Sequence, residues 1–272
     1  MTGPARSTGV RGTVLLAAVG YAVACAVRAA HHSGRFPGGS GRWERVNHAG
    51  KPITLTGGIA LAAGTGLPLA LVDPPAALAV TGATLAGAAD DLGESVQAKG
   101  LRGHLQALRA GRVTTGAVKI GVIGATGLAS ALWSDHHGRG VGLHTVAAAG
   151  LIAGGANLAN LFDLRPGRAL KAGLSCGIPL LLAGRPAAAT AAGASLAVLP
   201  DDLAARSMLG DTGANPLGAA VGVAAAQHLT GRGRWTVLAV VTGLTLLSER
   251  VSFTGVIEST PVLRSLDAWG RG

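Results

Sequence analysis

Aromatic residues make up only 3% of this 272-residue chain, and charged residues only 13%. That charged share is about half the share of a soluble domain, which excludes an ordinary water-facing surface over most of the chain. There are two cysteines, Cys25 and Cys176, both inside apolar runs. This excludes a disulfide framework or a cysteine-based metal centre and leaves two reduced packing residues. Carboxylates are also few: 13 Asp and Glu stand against 23 Lys and Arg, for a net charge of +10. The basic residues lie between apolar runs, not massed in one patch. That argues against nucleic acid and for anionic lipid head groups and phosphate substrates.

What the chain has in quantity is small apolar residues. Hydrophobic residues are 49%, the mean hydropathy is +0.44, and there are 44 glycines. The apolar residues come in runs of roughly 15–20, which reads as an all-α polytopic integral membrane helix bundle. Nine spans are expected, at about 13–30, 53–72, 75–89, 113–133, 141–161, 169–183, 186–200, 213–229 and 235–249. The chain is then a single membrane domain, with a short tail over 1–12, a transmembrane core over 13–249 and an interfacial tail over 250–272. Gly150/Gly154, Gly173/Gly177 and Gly218/Gly222 are small-xxx-small pairs suited to close helix contact. A homodimer is a further expectation.

Arg28, Arg35, Arg42, Arg45 and Lys51 crowd the far end of the first run, which puts the N-terminus outside and the C-terminus in the cytosol. Only Arg6, Arg11, Arg139, Arg185, Arg232 and Arg234 then fall outside, and the other Lys and Arg fall inside. Trp133 and Trp235 come at outer edges and Trp269 in the tail, where membrane-edge indoles are expected. The localisation expected is the cell membrane. On this parity Asp90-Asp91, Asp163 and Asp211, from three different loops, share the cytoplasmic face. Acidic residues beside membrane spans are usually functional.

The polar constellations lie on that face. In Asn157-x-x-Asn160-x-x-Asp163 the spacing of three forms one stripe on a helix. Pro166 and Gly167 then break the helix, and Arg165, Arg168 and Lys171 follow, cations that suit phosphate. Lys51-Pro52 precedes the Gly57-Gly58 turn, where backbone amides can approach a phosphate. Asp90 and Asp91 repel each other unless a divalent cation or a base is at hand, and oxygen-only ligands favour Mg²⁺ or Mn²⁺. Lys119 lies one turn inside the fourth span and either snorkels or reaches a phosphate. Gly210-Asp211-Thr212-Gly213 precedes the eighth span, an Asp in a Gly-bounded turn beside helix-start amides. The soluble aspartic proteases that carry Asp-Thr-Gly are β-rich, and the Gly-x-Gly-Asp of intramembrane proteases fails here at Met208. The pairs His31-His32 and His136-His137 fall on opposite faces and are read as interfacial. In the tail, Leu263, Leu266 and Trp269 share one face of an interfacial helix.

Taken in order, Lys51-Pro52 with Gly57-Gly58, Asp90-Asp91, Asn157-x-x-Asn160-x-x-Asp163 and Gly210-Asp211-Thr212-Gly213 resemble the polyprenyl-phosphate N-acetylhexosamine-1-phosphate transferases. That superfamily includes phospho-N-acetylmuramoyl-pentapeptide transferase. The resemblance covers about residues 45–250. It implies transfer of a sugar-1-phosphate from a UDP-amino sugar to a polyprenyl phosphate, with release of UMP and a requirement for Mg²⁺, in cell-envelope glycan synthesis. It further implies that Asp211 holds the metal with Asp91 or Asp90, one of that pair being a candidate base. Asn160 and Asp163 would contribute to the nucleotide site, Asp163 counting among the catalytic residues and Asn157 among the substrate-binding ones, and Lys51 and Lys119 would neutralise phosphate.

The chain departs from the family in three places. Pro166 stands where a second Asp is expected, SERVSFTGVIESTP replaces a histidine-rich segment, and a final span is missing. These departures weigh against a muramoyl-pentapeptide substrate. They also leave open a paralogue with altered or no turnover, in which Arg165, Arg168 and Lys171 bind phosphate in place of the lost groups. A cation-coupled transporter using the same carboxylates is the other alternative.

Overall fold

A computed structural model describes residues 7–35, 40–46, 50, 52–93, 103, 106, 107, 109–111 and 113–271. Lys51 lies outside the described residues. The described residues form an all-α bundle of eleven helices with one small hairpin. Nine long helices follow the nine apolar runs in order. They are α1 (Val10–His32), α2 (Thr56–Val72), α3 (Pro74–Leu92), α4 (Thr115–His136), α5 (Leu143–Phe162), α6 (Arg168–Leu182), α7 (Pro186–Leu203), α8 (Gly210–His228) and α9 (Gly231–Ser248). Two short helices close the chain, α10 (Phe253–Ser259) and α11 (Pro261–Ala268). Among the described residues α1, α4 and α5 are long and apolar enough to cross a membrane. The α9–α10 pair, bent by 92°, makes a fourth if counted as one broken span.

Helix α8 is the centre of the bundle. Fourteen of its nineteen residues are buried, and it packs against α2, α3, α5, α6 and α7. Its Gly and Ala side chains permit this, because they let neighbouring backbones come close. Of the three small-xxx-small pairs, only Gly218/Gly222 makes backbone-to-backbone contact: a Cβ on either would run into the backbone of Gly155 or Leu151 on α5. Gly150/Gly154 instead receives the side chains of Leu238 and Val241. Around this core, Leu15, Leu67, Leu71, Leu85 and Leu182 are exposed on helix bodies. An apolar belt of that kind is a liability in water and fits a lipid surround.

Two local expectations are corrected. Pro52–Thr54 is a strand (β2) and not the start of the second span; it pairs antiparallel with Glu44–Val46 (β1), and Thr54 bridges to Ser207. Pro52 ends the pairing at Val46, where a missing N–H costs least. Gly210-Asp211-Thr212-Gly213 is also not a turn ahead of a helix but the first turn of α8 itself.

The close approach of α8 and α5 gives a test. Gly218→Ala is expected to cost about 1–3 kcal/mol through overpacking. Gly243→Ala, where a Cβ meets nothing within 4 Å, is expected to gain about 0.5–1 kcal/mol from helix propensity. Denaturation of both variants in detergent measures the pair, and equal effects would refute the packing.

Candidate active site

The helix directions bring the acidic residues to one end of the bundle. Asp90 and Asp91 close α3, Asp211 opens α8, Lys119 lies in the second turn of α4, and Asp163 caps the C-terminus of α5. Helix α8 begins without a side-chain cap of its own, so its first amides need partners from elsewhere. Asp91 supplies them. One carboxylate oxygen accepts from the Asp211 N–H at 3.1 Å, and the other accepts from the Thr212 N–H at 2.8 Å and from the Thr212 hydroxyl at 2.6 Å. Gly210 makes the approach possible, with φ of 58° and a missing Cβ that would sit 2.9 Å from the Asp91 carboxylate. From the hairpin, Arg45 donates to the Asp91 backbone oxygen at 2.6 Å.

Beside this cap, the Lys119 ammonium donates to Asp90 at 2.9 Å and also pairs with Asp211. One cation therefore bridges two carboxylates from different helices. The two members of Asp90-Asp91 are therefore placed differently. Asp91 is tied up as the cap of α8, and Asp90 and Asp211 are the pair that faces a cation. Among the described residues no three His, Cys, Asp or Glu side chains converge closely enough to hold an ion by themselves. Two carboxylates still fit Mg²⁺, which is usually held by one or two of them together with substrate phosphates and water.

Asp163 opens onto a neighbouring cavity of about 450 Å³ lined by Val46, Ile53, Arg165, Asp202 and Met208 among others. Burial, with Asp202, Asp211 and Asp91 nearby, pushes its carboxyl well above the usual range, against a backbone hydrogen bond from Gly210. Asp202, which accepts from the Gly167 N–H, is a site residue that motif reading passed over. The available signal was a second tandem acid, Asp201-Asp202, in the segment that carries Asp211.

The other expected site residues are placed differently. Arg165 lines the cavity but pairs with Glu258 at 3.0 Å. Arg168, 4% exposed, forks onto both oxygens of Asp267 at 2.7 and 2.9 Å and donates to Thr254 at 2.9 Å. Lys171 donates to the carbonyls of Leu266, Asp267 and Trp269 at the end of α11. The donors expected to take phosphate are therefore spent on docking the C-terminal segment. The physical reason is that a guanidinium opening a helix is disfavoured unless a carboxylate offsets it, whereas a cation at a helix C-terminus is favoured. Asn157 is exposed and reaches Thr245 on α9 at 3.5 Å, away from the acids. Asn160 makes no side-chain hydrogen bond among the described residues.

Burial pushes the Asp267 carboxyl up, but the hydrogen bonds and charges of Arg168 and Arg271 together outweigh it and hold the group down to about 2. A depressed carboxylate contributes stability that is full above its free value, about 3.9, and is lost as pH falls toward about 2. Hydrogen-exchange protection over residues 253–271, referred to the intrinsic rate at each pH, is therefore expected to hold down to about pH 4 and to fall below it. Arg168→Ala is expected to release the segment already at neutral pH. If Arg168→Ala left that protection intact, the docking role would be wrong.

No family model matches this chain, and no curated sequence matches it.

Proposed function

We propose that the protein is a membrane phosphoglycosyltransferase that moves a sugar-1-phosphate from a UDP-amino sugar onto a polyprenyl phosphate and releases UMP. The single observation carrying this reading is the convergence of Asp90, Asp211 and Lys119 at one end of the bundle, from α3, α8 and α4. The acceptor phosphate oxygen forms a bond to the β-phosphorus of the donor, and the bond from that phosphorus to the UMP oxygen breaks. The acceptor monoester, with a second pKa near 6, is already largely dianionic at neutral pH, so little is asked of a base. Bringing two polyanions together is the larger barrier, and charge neutralisation addresses it.

Asp90 and Asp211 would hold Mg²⁺, which supplies positive charge to the diphosphate and polarises its phosphoryl oxygens. Lys119 orients and neutralises phosphate beside them. Asp163 and Asp202 suit the part of the donor that offers hydrogen-bond donors, such as the uracil N–H and the ribose hydroxyls. An apolar groove of about 400 Å³, running from Phe162 past Leu217 to Leu229 and Val241, suits the polyprenyl chain. A transporter reading is disfavoured because transporter sites lie near the bilayer midplane, whereas these acids sit at helix ends. On this reading the membrane is the cell membrane, the spans number nine and the acidic end faces the cytoplasm.

Exchange of radiolabelled UMP into a UDP-amino sugar, followed in membranes with and without Mg²⁺, tests the reading. Wild-type protein is expected to exchange only with the metal present. Asp211→Asn and Lys119→Ala are each expected to lose about 10²–10³-fold in rate, the usual cost of removing one electrostatic stabiliser of the transition state. No exchange or lipid-linked product from any donor tried with undecaprenyl phosphate would reject turnover.

A further inference from the structure

The opposite end of the bundle holds a second charged cavity that the transfer reading does not use. Helix α8 has nineteen residues, so its two ends lie about 27 Å apart. Four connections meet at the far end: Asp73 between α2 and α3, Asp135 to Arg139 after α4, Arg185 before α7, and Gln227 to Arg234 around the α8–α9 turn. They enclose a cavity of about 220 Å³ lined by Ser134, Asp135, Arg139, Arg185, Gln227 and Arg234.

The charges there do not balance. Arg234, 2% exposed, is spent: it forks onto both oxygens of Asp135 at 2.7 and 2.9 Å and donates to the Ala226 carbonyl at 2.7 Å. Asp135 also accepts from the Thr145 hydroxyl at 2.8 Å, with His144 at 3.6 Å. Among the described residues Arg139 directs all its hydrogen bonds to carbonyl oxygens, those of Ala226, Gln227 and Leu229. It keeps two N–H groups unspent, since a guanidinium carries five. Arg185 has its Nε buried and without a partner, and the buried Oε1 of Gln227 is likewise unpartnered. Asp73, whose charge Arg185 feels, is already held by the Gln227 amide at 2.8 Å and the Ala76 N–H. Three guanidiniums thus face two carboxylates, and the excess positive charge belongs to Arg139 and Arg185, whose free N–H groups border one small cavity. A buried, unpartnered guanidinium N–H is costly, and forked Arg donors match tetrahedral oxyanions best.

We propose that this far-end cavity is a binding site for a phosphate group, held between Arg139 and Arg185. The phosphate comes either from the head group of an anionic phospholipid at that surface or from free inorganic phosphate. The site is separate from the acidic end and does not depend on the transferase reading.

The test uses full-length protein in zwitterionic nanodiscs. One arm titrates inorganic phosphate and follows the unfolding midpoint. The other adds phosphatidylglycerol and counts retained lipid by native mass spectrometry, with phosphatidylcholine as reference. Saturable binding in either arm is expected, and the arm that responds names the source. The double variant Arg139→Gln/Arg185→Gln is expected to bind at least about tenfold more weakly, the loss of one charge-assisted hydrogen bond or more. Asp211→Asn is expected to bind as wild type does. Should the double variant fail to fold, Arg185→Gln alone carries the test, because its Nε has no protein partner to lose. Absence of saturable binding in both arms, or undiminished binding by a folded variant, overturns the proposal.

Discussion

The arrangement of the acidic end depends on one carboxylate. Asp91 reaches from the last turn of α3 to the first amides of α8 and takes three hydrogen bonds there. The start of a helix carries unpaired N–H groups and partial positive charge, so a carboxylate is the natural complement. Because the cap is lent by another helix, it also fixes the position of the bundle's central helix relative to α3. Asp211 is the next residue along, and its side chain is aimed by that same turn. Removing the carboxylate would unsettle the register of α8 as well as the local charge, which separates Asp91 from Asp90 in kind even though the two are adjacent in sequence.

Buried charge at both ends obeys a common constraint. A carboxylate withdrawn from water is tolerated only when paired or hydrogen-bonded. Asp135 meets Arg234, Asp267 meets Arg168, and Asp90 shares Lys119 with Asp211. These pairs join helices distant in sequence, and the polar contacts orient what the Gly and Ala packing brings close. Helices α10 and α11 are tied down together: Arg168 grips the α11 carboxylate, Lys171 its terminal carbonyls, and Phe162 stacks on Phe253 of α10 at 5.3 Å.

The helical runs were legible because hydropathy is local, and all nine recur as helices with ends shifted by a few residues. The shared location of Asp90-Asp91, Asp163 and Asp211 was legible through the parity of helix directions. What was not legible is which partner each charge finds. The cluster Arg165, Arg168 and Lys171 reads as a phosphate cradle in sequence because Glu258 and Asp267 stand roughly a hundred residues away. The strand at Pro52–Thr54 was hidden for a related reason, since its pairing partners are Glu44–Val46 and Ser207. Asp202 escaped notice because its value as a site residue depends on the cavity it shares with Asp163.

The electrostatics of the acidic end bear on the proposed chemistry independently of any resemblance. Asp90 and Asp211 share a single ammonium, that of Lys119, with Asp91 beside them on the first amides of α8 and Arg45 contributing from the hairpin through a backbone carbonyl. Asp163 and Asp202 stand just beyond. Among the described residues Asp90, Asp91 and Asp211 outnumber the cations around Lys119, and in a partly buried site the repulsion they exert on a diphosphate is only weakly screened. Further positive charge arriving with a polyanion would offset that repulsion. A divalent ion shared between Asp90, Asp211 and the phosphates would supply that charge with the ligands present. The surplus of carboxylates among the described residues is therefore the feature of this pocket that supports the proposed metal-assisted transfer.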